Sequence, residues 1–294
     1  MTMAEKIVEG AALPRSRVQP SEEVPEIVIR PRPGWIAINW RELWDGRELL
    51  YFLILRDVAV RYKQTVLGVG WAVLQPIFSM LVFTVIFGKF AKMPSDGIPY
   101  PLFVYAGLLP WMFFSNAVSG ASQSLVNQQA LLTKIYLPRL FVPAASVGSG
   151  IVDLAVSFVV FAVMMLIYGF PVGWGILLVP LLVLLVALAA IGVGLTLAAL
   201  SVTYRDFRYV IPFMVQAWMY LSPVIYPVSL VPQEWQWLLA LNPLAGLIDA
   251  FRSSLLGKPW NMQTFCISSA SAIVLLLYGL FYFRKTERRF ADVA

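Results

Sequence analysis

The chain has 294 residues, of which 60% are hydrophobic and only 13% charged. Soluble domains are about half apolar and about a quarter charged, so this much apolar surface needs a bilayer to cover it, and the chain reads as an integral membrane protein. The net charge is +6, with no His and one Cys, which excludes an intrachain disulfide, a thiolate zinc cluster and the commonest general base.

Residues 1–38 are rich in charge and proline and have no apolar h-region. They read as a disordered cytoplasmic tail rather than a signal peptide. Residues 39–63 alternate Trp40, Leu43 and Trp44 with Arg41, Glu42 and Asp45 at helical spacing. This pattern predicts an amphipathic helix lying in the membrane surface.

Six long apolar runs follow, and a helix needs about 20 residues to cross the hydrocarbon. The runs predict spans at about 66–88, 100–126, 141–168, 175–201, 210–228 and 262–283. Span 3 is interrupted by Asp153, a lone intramembrane acid that must find a polar partner facing the bundle. Between the last two runs, residues 234–241 and 244–256 are apolar but too short to cross, with Pro232, Pro243 and Pro259 punctuating them. They predict two short helices at the outer face, tolerated at membrane depth only if buried in protein or lining a cavity. There Asp249 and Arg252, three apart, share a helix face and can pair locally, with Glu234 on the first of the two helices. Cys266 opens the last apolar run and reads as a small buried hydrophobe.

Charge sets the orientation. With the N-terminus inside, 18 of the 22 Lys and Arg residues fall on cytoplasmic segments and four outside, a bias that places both termini in the cytoplasm. The basic residues flank apolar runs and form no single patch, so no nucleic-acid partner is implied. The chain lacks a G-x-x-x-x-G-K-[ST] loop and a G-x-S-x-G elbow, so it carries neither an ATPase nor a recognisable hydrolase of its own. One intramembrane carboxylate is too few for a proton relay. The energy source is therefore expected outside this chain.

The run RDVAVRYKQTVLGVGWAVLQPIFSMLVFTVIFGK (56–89) resembles the start of the ABC-type polysaccharide export permeases. Further segments resemble that family in the same order: IPYPLFVYAGLLPWMFFSNAV (98–118), LLTKIYLPR (131–139), TYRDFRYVIPF (203–213), SPVIYPVSLVP (222–232) and ALNPLAGLIDAFR (240–252). The resemblance covers about residues 40–284. The family includes permeases for O-antigen, capsule and teichoic acid. The resemblance implies an all-α membrane domain that pairs with a second copy of itself and with two copies of a separate ATPase, which holds the ATP and Mg. No cofactor or metal is implied for this chain.

The substrate implied is an undecaprenyl-linked glycan, moved from the cytoplasmic leaflet of the bacterial plasma membrane outward. Leu132, Lys134, Tyr136 and Arg139 lie on the helix that would couple to the ATPase, with Arg205 and Arg208 on the next inside loop. Glu234, Asp249 and Arg252 would belong to an outer gate. Trp71, Trp111, Phe113, Phe114, Trp218, Tyr220 and Tyr226 are candidates for a sugar path, since aromatic faces pack on pyranose C–H faces; interfacial anchoring and simple packing explain such residues equally well. A permease for a drug or small lipid is the alternative within transport. A membrane-embedded enzyme of envelope synthesis is a third reading, disfavoured because the inside loops after span 1 offer only Asp206 as an acid, with Glu287 and Asp292 at the C-terminus.

Overall fold

The computed structural model describes residues 40–63, 68, 70–129, 137–171 and 173–287, and among these it is helical with no strand. The protein is an all-α membrane protein. The N-terminal tail lies outside the described residues. The expected tail at 285–294 is described only as far as Glu287, to which the last helix extends.

The expected interface segment forms two helices, α1 (Trp40–Asp45) and α2 (Arg47–Lys63), broken at Gly46. α2 packs along α5 (Phe141–Ile167), where Leu53 is buried in a small cluster with Phe141, Val142 and Ala145. Its apolar residues do not share one face, however. Tyr51, Phe52, Leu55 and Val60 are exposed, so α2 is apolar toward both the bundle and its outer side.

Five helical stretches are long and apolar enough to cross a membrane: Gly70–Phe90, Tyr100–Asn127, Phe141–Ile167, Trp174–Thr203 and Met262–Glu287. They contain α3 (Gly70–Phe83), α4 (Tyr100–Asn127), α5, α6 (Val179–Thr203) and α10 (Met262–Glu287). The expected span at 210–228 is shorter. It is α7 (Phe207–Leu221), 15 residues long, or about 22 Å at 1.5 Å per residue against a hydrocarbon core of about 30 Å. The apolar run continues, but Pro223 stops the helix, because the residue before a proline is driven out of the α region. Ser222 accordingly sits at φ −105°, ψ 144°.

α4 is the centre of the bundle. It packs on α5 and α6 along their length, and α3 and α7 lie against it. α6 and α10 cross closely at a glycine pair: a Cβ on Gly279 would stand 2.1 Å from the Gly192 carbonyl oxygen. Small residues let membrane helices approach at their backbones in this way. α10 turns Ser268, Ala272 and Gly279 inward. Cys266 lies on the opposite face and is exposed, so it is not the buried residue expected from sequence.

The two short helices are α8 (Gln233–Ala240) and α9 (Pro243–Leu256). α9 carries the usual start and stop signals. Asn242 caps it by accepting from the Leu244 N–H, Pro243 opens the first turn, and Gly257 closes it in the left-handed region at φ 68°. Every residue of α9 except Asp249 is buried. It sits among α4, α6, α8 and α10, which is how so short a helix is tolerated.

Candidate functional site

Two polar sites punctuate the apolar bundle. The first is built around Arg252 of α9, whose side chain is fully buried at 0% exposure. Its Nε donates to the Phe103 carbonyl at 3.2 Å, Nη1 to Pro223 at 2.6 Å and Tyr226 at 3.4 Å, and Nη2 to Val224 at 2.6 Å. The guanidinium carbon stands 3.7 Å from the Phe103 ring centroid, a cation–π contact. Gly107 makes the room: a Cβ there would lie 2.5 Å from Nη2.

The local pairing that spacing allows Asp249 and Arg252 is thus replaced. Among the described residues the ion pairs are Arg56–Asp57, Arg61–Asp153, Lys258–Asp96 and Arg284–Glu287. The guanidinium turns to backbone oxygens because the non-helical stretch after α7 leaves those oxygens in need of donors. The rest of that stretch is satisfied by others. Asn242 Nδ2 donates to the Leu221 carbonyl at 3.2 Å, the Val224 N–H to Ser222 at 2.7 Å, and the Leu230 N–H to Pro227 at 3.1 Å. The Tyr100 hydroxyl donates to the Ile225 carbonyl at 2.9 Å. Every carbonyl from 221 to 227 therefore has a donor.

Beside this site, Asp96 in the loop before α4 accepts from Ser229 at 2.9 Å and pairs with Lys258. Burial pushes the Asp96 carboxyl up, but the hydrogen bonds from Lys258 and Ser229 outweigh it and hold it below its usual value. Glu234 is exposed on α8, away from these contacts.

The second site is built around Asp153 of α5. It pairs with Arg61 and accepts from the Tyr62 hydroxyl, both at the end of α2. Arg61 also donates to Ser149 at 3.2 Å. The Tyr62 phenol is pushed up to about 12, first by burial and then by Asp153, so it stays protonated and donating. These residues border a cavity of about 400 Å³ whose wall includes Arg61, Trp71, Gln75, Phe113, Asn116 and Asp153.

The structure thus brings together two of the seven aromatic path candidates, Trp71 and Phe113. Trp111 and Phe114 are buried in the core. Trp218 packs edge-on against Phe114 at 5.2 Å and donates to Asn242 Oδ1 at 3.0 Å. Tyr220 is exposed. Tyr226 is half-buried and contributes its carbonyl to Arg252.

Of the coupling residues, Leu132, Lys134 and Tyr136 lie outside the described residues. Arg139 donates to the Glu287 carbonyl at 2.9 Å, at the end of α10, and Gln128, at the end of α4, accepts from Arg56 of α2 at 2.7 Å. Arg205 is exposed between α6 and α7, and Arg208 is exposed in the first turn of α7. Sequence reasoning missed Arg61, Tyr62, Tyr100 and Gly107. Only Asn242, an Asn directly before a Pro and an apolar run, carried a readable signal, that of a helix cap.

Among the described residues, an all-α bundle of long apolar helices around a short buried one defines the chain as an integral membrane protein. Residues 48–256 match the ABC-2 type transporter family, and the chain belongs to it. It is 29% identical over 256 residues to the O-antigen export system permease protein RfbA of Myxococcus xanthus, covering 86% of this chain and 97% of that relative. It is 26% identical over 250 residues to a protein of the same name from Klebsiella pneumoniae, covering 84% and 95%. The Polysialic acid transport protein KpsM of Escherichia coli is 24% identical over 241 residues, with 80% and 92% covered.

Proposed function

We propose that this permease is the membrane-spanning subunit of an ATP-driven exporter that moves undecaprenyl-linked polysaccharide outward across the bacterial plasma membrane. The observation that carries the reading is similarity along 92% to 97% of relatives named for O-antigen export and polysialic acid transport. Two copies of the chain act with two copies of an ABC ATPase, which binds ATP and Mg, and both termini are cytoplasmic. The charge bias of 18 to four supports that orientation.

The geometry supports such a division of labour. Gln75 and Asn116 are exposed on membrane-crossing helices, where polar groups belong on a water-filled path or against another protein surface. Trp71 beside them offers an aromatic face without a charge, a surface suited to polyhydroxylated rings. On the cytoplasmic side, the segment proposed to couple to the ATPase, 127–139, is fastened at both ends, through Gln128 to α2 and through Arg139 to α10. A push from the ATPase on that segment reaches α2 and α10 at once. Lys134 and Arg139 supply positive charge toward the partner, and Leu132 and Tyr136 supply the apolar anchors that dominate interface energy. The outer gate comprises the chain from 229 to 258, including Glu234, Asp249 and Arg252.

Co-purification tests the reading. The permease expressed with the ABC ATPase of its gene neighbourhood is expected to emerge as one complex, with a lipid-linked glycan identified by mass spectrometry of the bound lipid. A complex carrying only small lipids or drugs, and inactive toward lipid-linked glycan, would replace this substrate with the alternative class.

A further inference from the structure

We infer that Arg252 is the positioning residue of the outer end of the permease, holding the non-helical stretch 222–226 as a fixed post against α4 through its fork of N–H donors rather than through its charge. The inference rests on the exporter reading for its role and on geometry for its mechanism. A helix satisfies its own carbonyls; a broken one leaves them exposed, and in a bundle without water each must find a donor. Here one side chain supplies donors to four carbonyls on two elements, Phe103 of α4 and Pro223, Val224 and Tyr226 after α7. Only a guanidinium presents five N–H donors in a rigid plane; an ammonium is a point with three.

The surroundings are shaped for that fork. Phe103 covers one face of the guanidinium plane at 3.7 Å, and Gly107 leaves open the space that a side chain would take. Tyr100 and Asn242 hold the neighbouring carbonyls of Ile225 and Leu221. The post is therefore pinned from α4, α9 and the α8–α9 turn. It holds Tyr226 in place. A gate needs one side that stays still, and this stretch supplies it.

The test uses the full permease–ATPase complex in a Cys266→Ser background with an Ile225→Cys reporter, since Ile225 is buried beside the pin. Reaction with an impermeant maleimide applied from outside is followed together with glycan export. With Arg252 intact the thiol is expected to stay protected. Arg252→Lys and Arg252→Met are both expected to speed labelling at least tenfold and to abolish export while the complex still co-purifies. Gly107→Ala, which crowds Nη2, is expected to give an intermediate rate, and Asp249→Asn to leave the thiol protected. Rescue of protection and export by Arg252→Lys would show that charge suffices and overturn the inference. So would unchanged labelling in an assembled Arg252→Met complex, or loss of assembly in all three of the Arg252 and Gly107 variants, which would make the pin a general folding element. A failure of the exporter reading alone would appear as no glycan export in the unsubstituted complex with the labelling pattern intact.

Discussion

The two charged sites of this permease solve the burial problem in different ways. At Asp153 a carboxylate meets an opposite charge and a phenol, and both partners are side chains. At Arg252 a cation meets neutral backbone carbonyls and an aromatic face. The first arrangement is partly open to solvent through Arg61 (39% exposed) and can be approximated by neutral hydrogen-bonding groups. The second depends on the number and directions of donors, lies fully buried, and has no neutral equivalent. Where chain must leave helical geometry inside a membrane protein, the shape of a donor decides more than its charge.

Substitutions that separate shape from charge break the comparison at its strongest point. Arg252→Met strands the three non-helical carbonyls of Pro223, Val224 and Tyr226, and since one unsatisfied buried group costs about 1–3 kcal/mol, this is expected to be the most destabilising single change. It should be read as the largest fall in the melting temperature of the detergent-solubilised complex. At the coupling segment, Leu132→Ala combined with Tyr136→Ala should weaken ATPase co-purification more than the charge pair Lys134→Ala and Arg139→Ala, because anchors outweigh rim charges; equal loss in both doubles would place the docking energy in the charges instead.

Asp153→Asn should be milder. An amide still accepts from Tyr62, and with Arg61 partly in solvent the lost pairing is worth about 1 kcal/mol, so assembly and most export should persist. An assembled but inactive Asp153→Asn variant would give the charge itself a role. The smallest effect belongs to the Asp96 tether. Its carboxyl is lowered in the folded protein by Lys258 and Ser229, so its contribution is complete above the ordinary carboxylate pKa of about 3.9 and fades only as pH falls through the lower, folded value. Thermal stability between pH 5 and 8 should therefore be the same in Asp96→Asn as in the unsubstituted protein apart from a constant offset, and a slope confined to the unsubstituted protein in that range would contradict this.

Much of the architecture was legible in the sequence, because the long helices are written in apolar runs and the short ones in Asn242-Pro243 and Gly257. The break after α7 was harder to read, since the apolar run continues past Pro223 and hides the end of the helix. Asp153 announced itself as a lone acid, but Arg61 lies 92 residues earlier in the chain, and pattern alone does not join them. The partners of Arg252 were not legible at all. They are the main-chain oxygens of Phe103, Pro223, Val224 and Tyr226, which side-chain identity does not encode, and the nearest acid, Asp249, pointed to a pairing that the fold does not make.

The most direct test of the exporter account is transport itself. The permease and its ATPase are reconstituted in vesicles carrying lipid-linked glycan, and the glycan reaching the trans side is counted with a membrane-impermeant, glycan-cleaving enzyme. The account predicts that glycan becomes accessible only with ATP and Mg supplied on the side of the ATPase and only when both chains are present. Accessibility that is independent of ATP, or ATP hydrolysis that never moves glycan while moving a small lipid or drug, would contradict it.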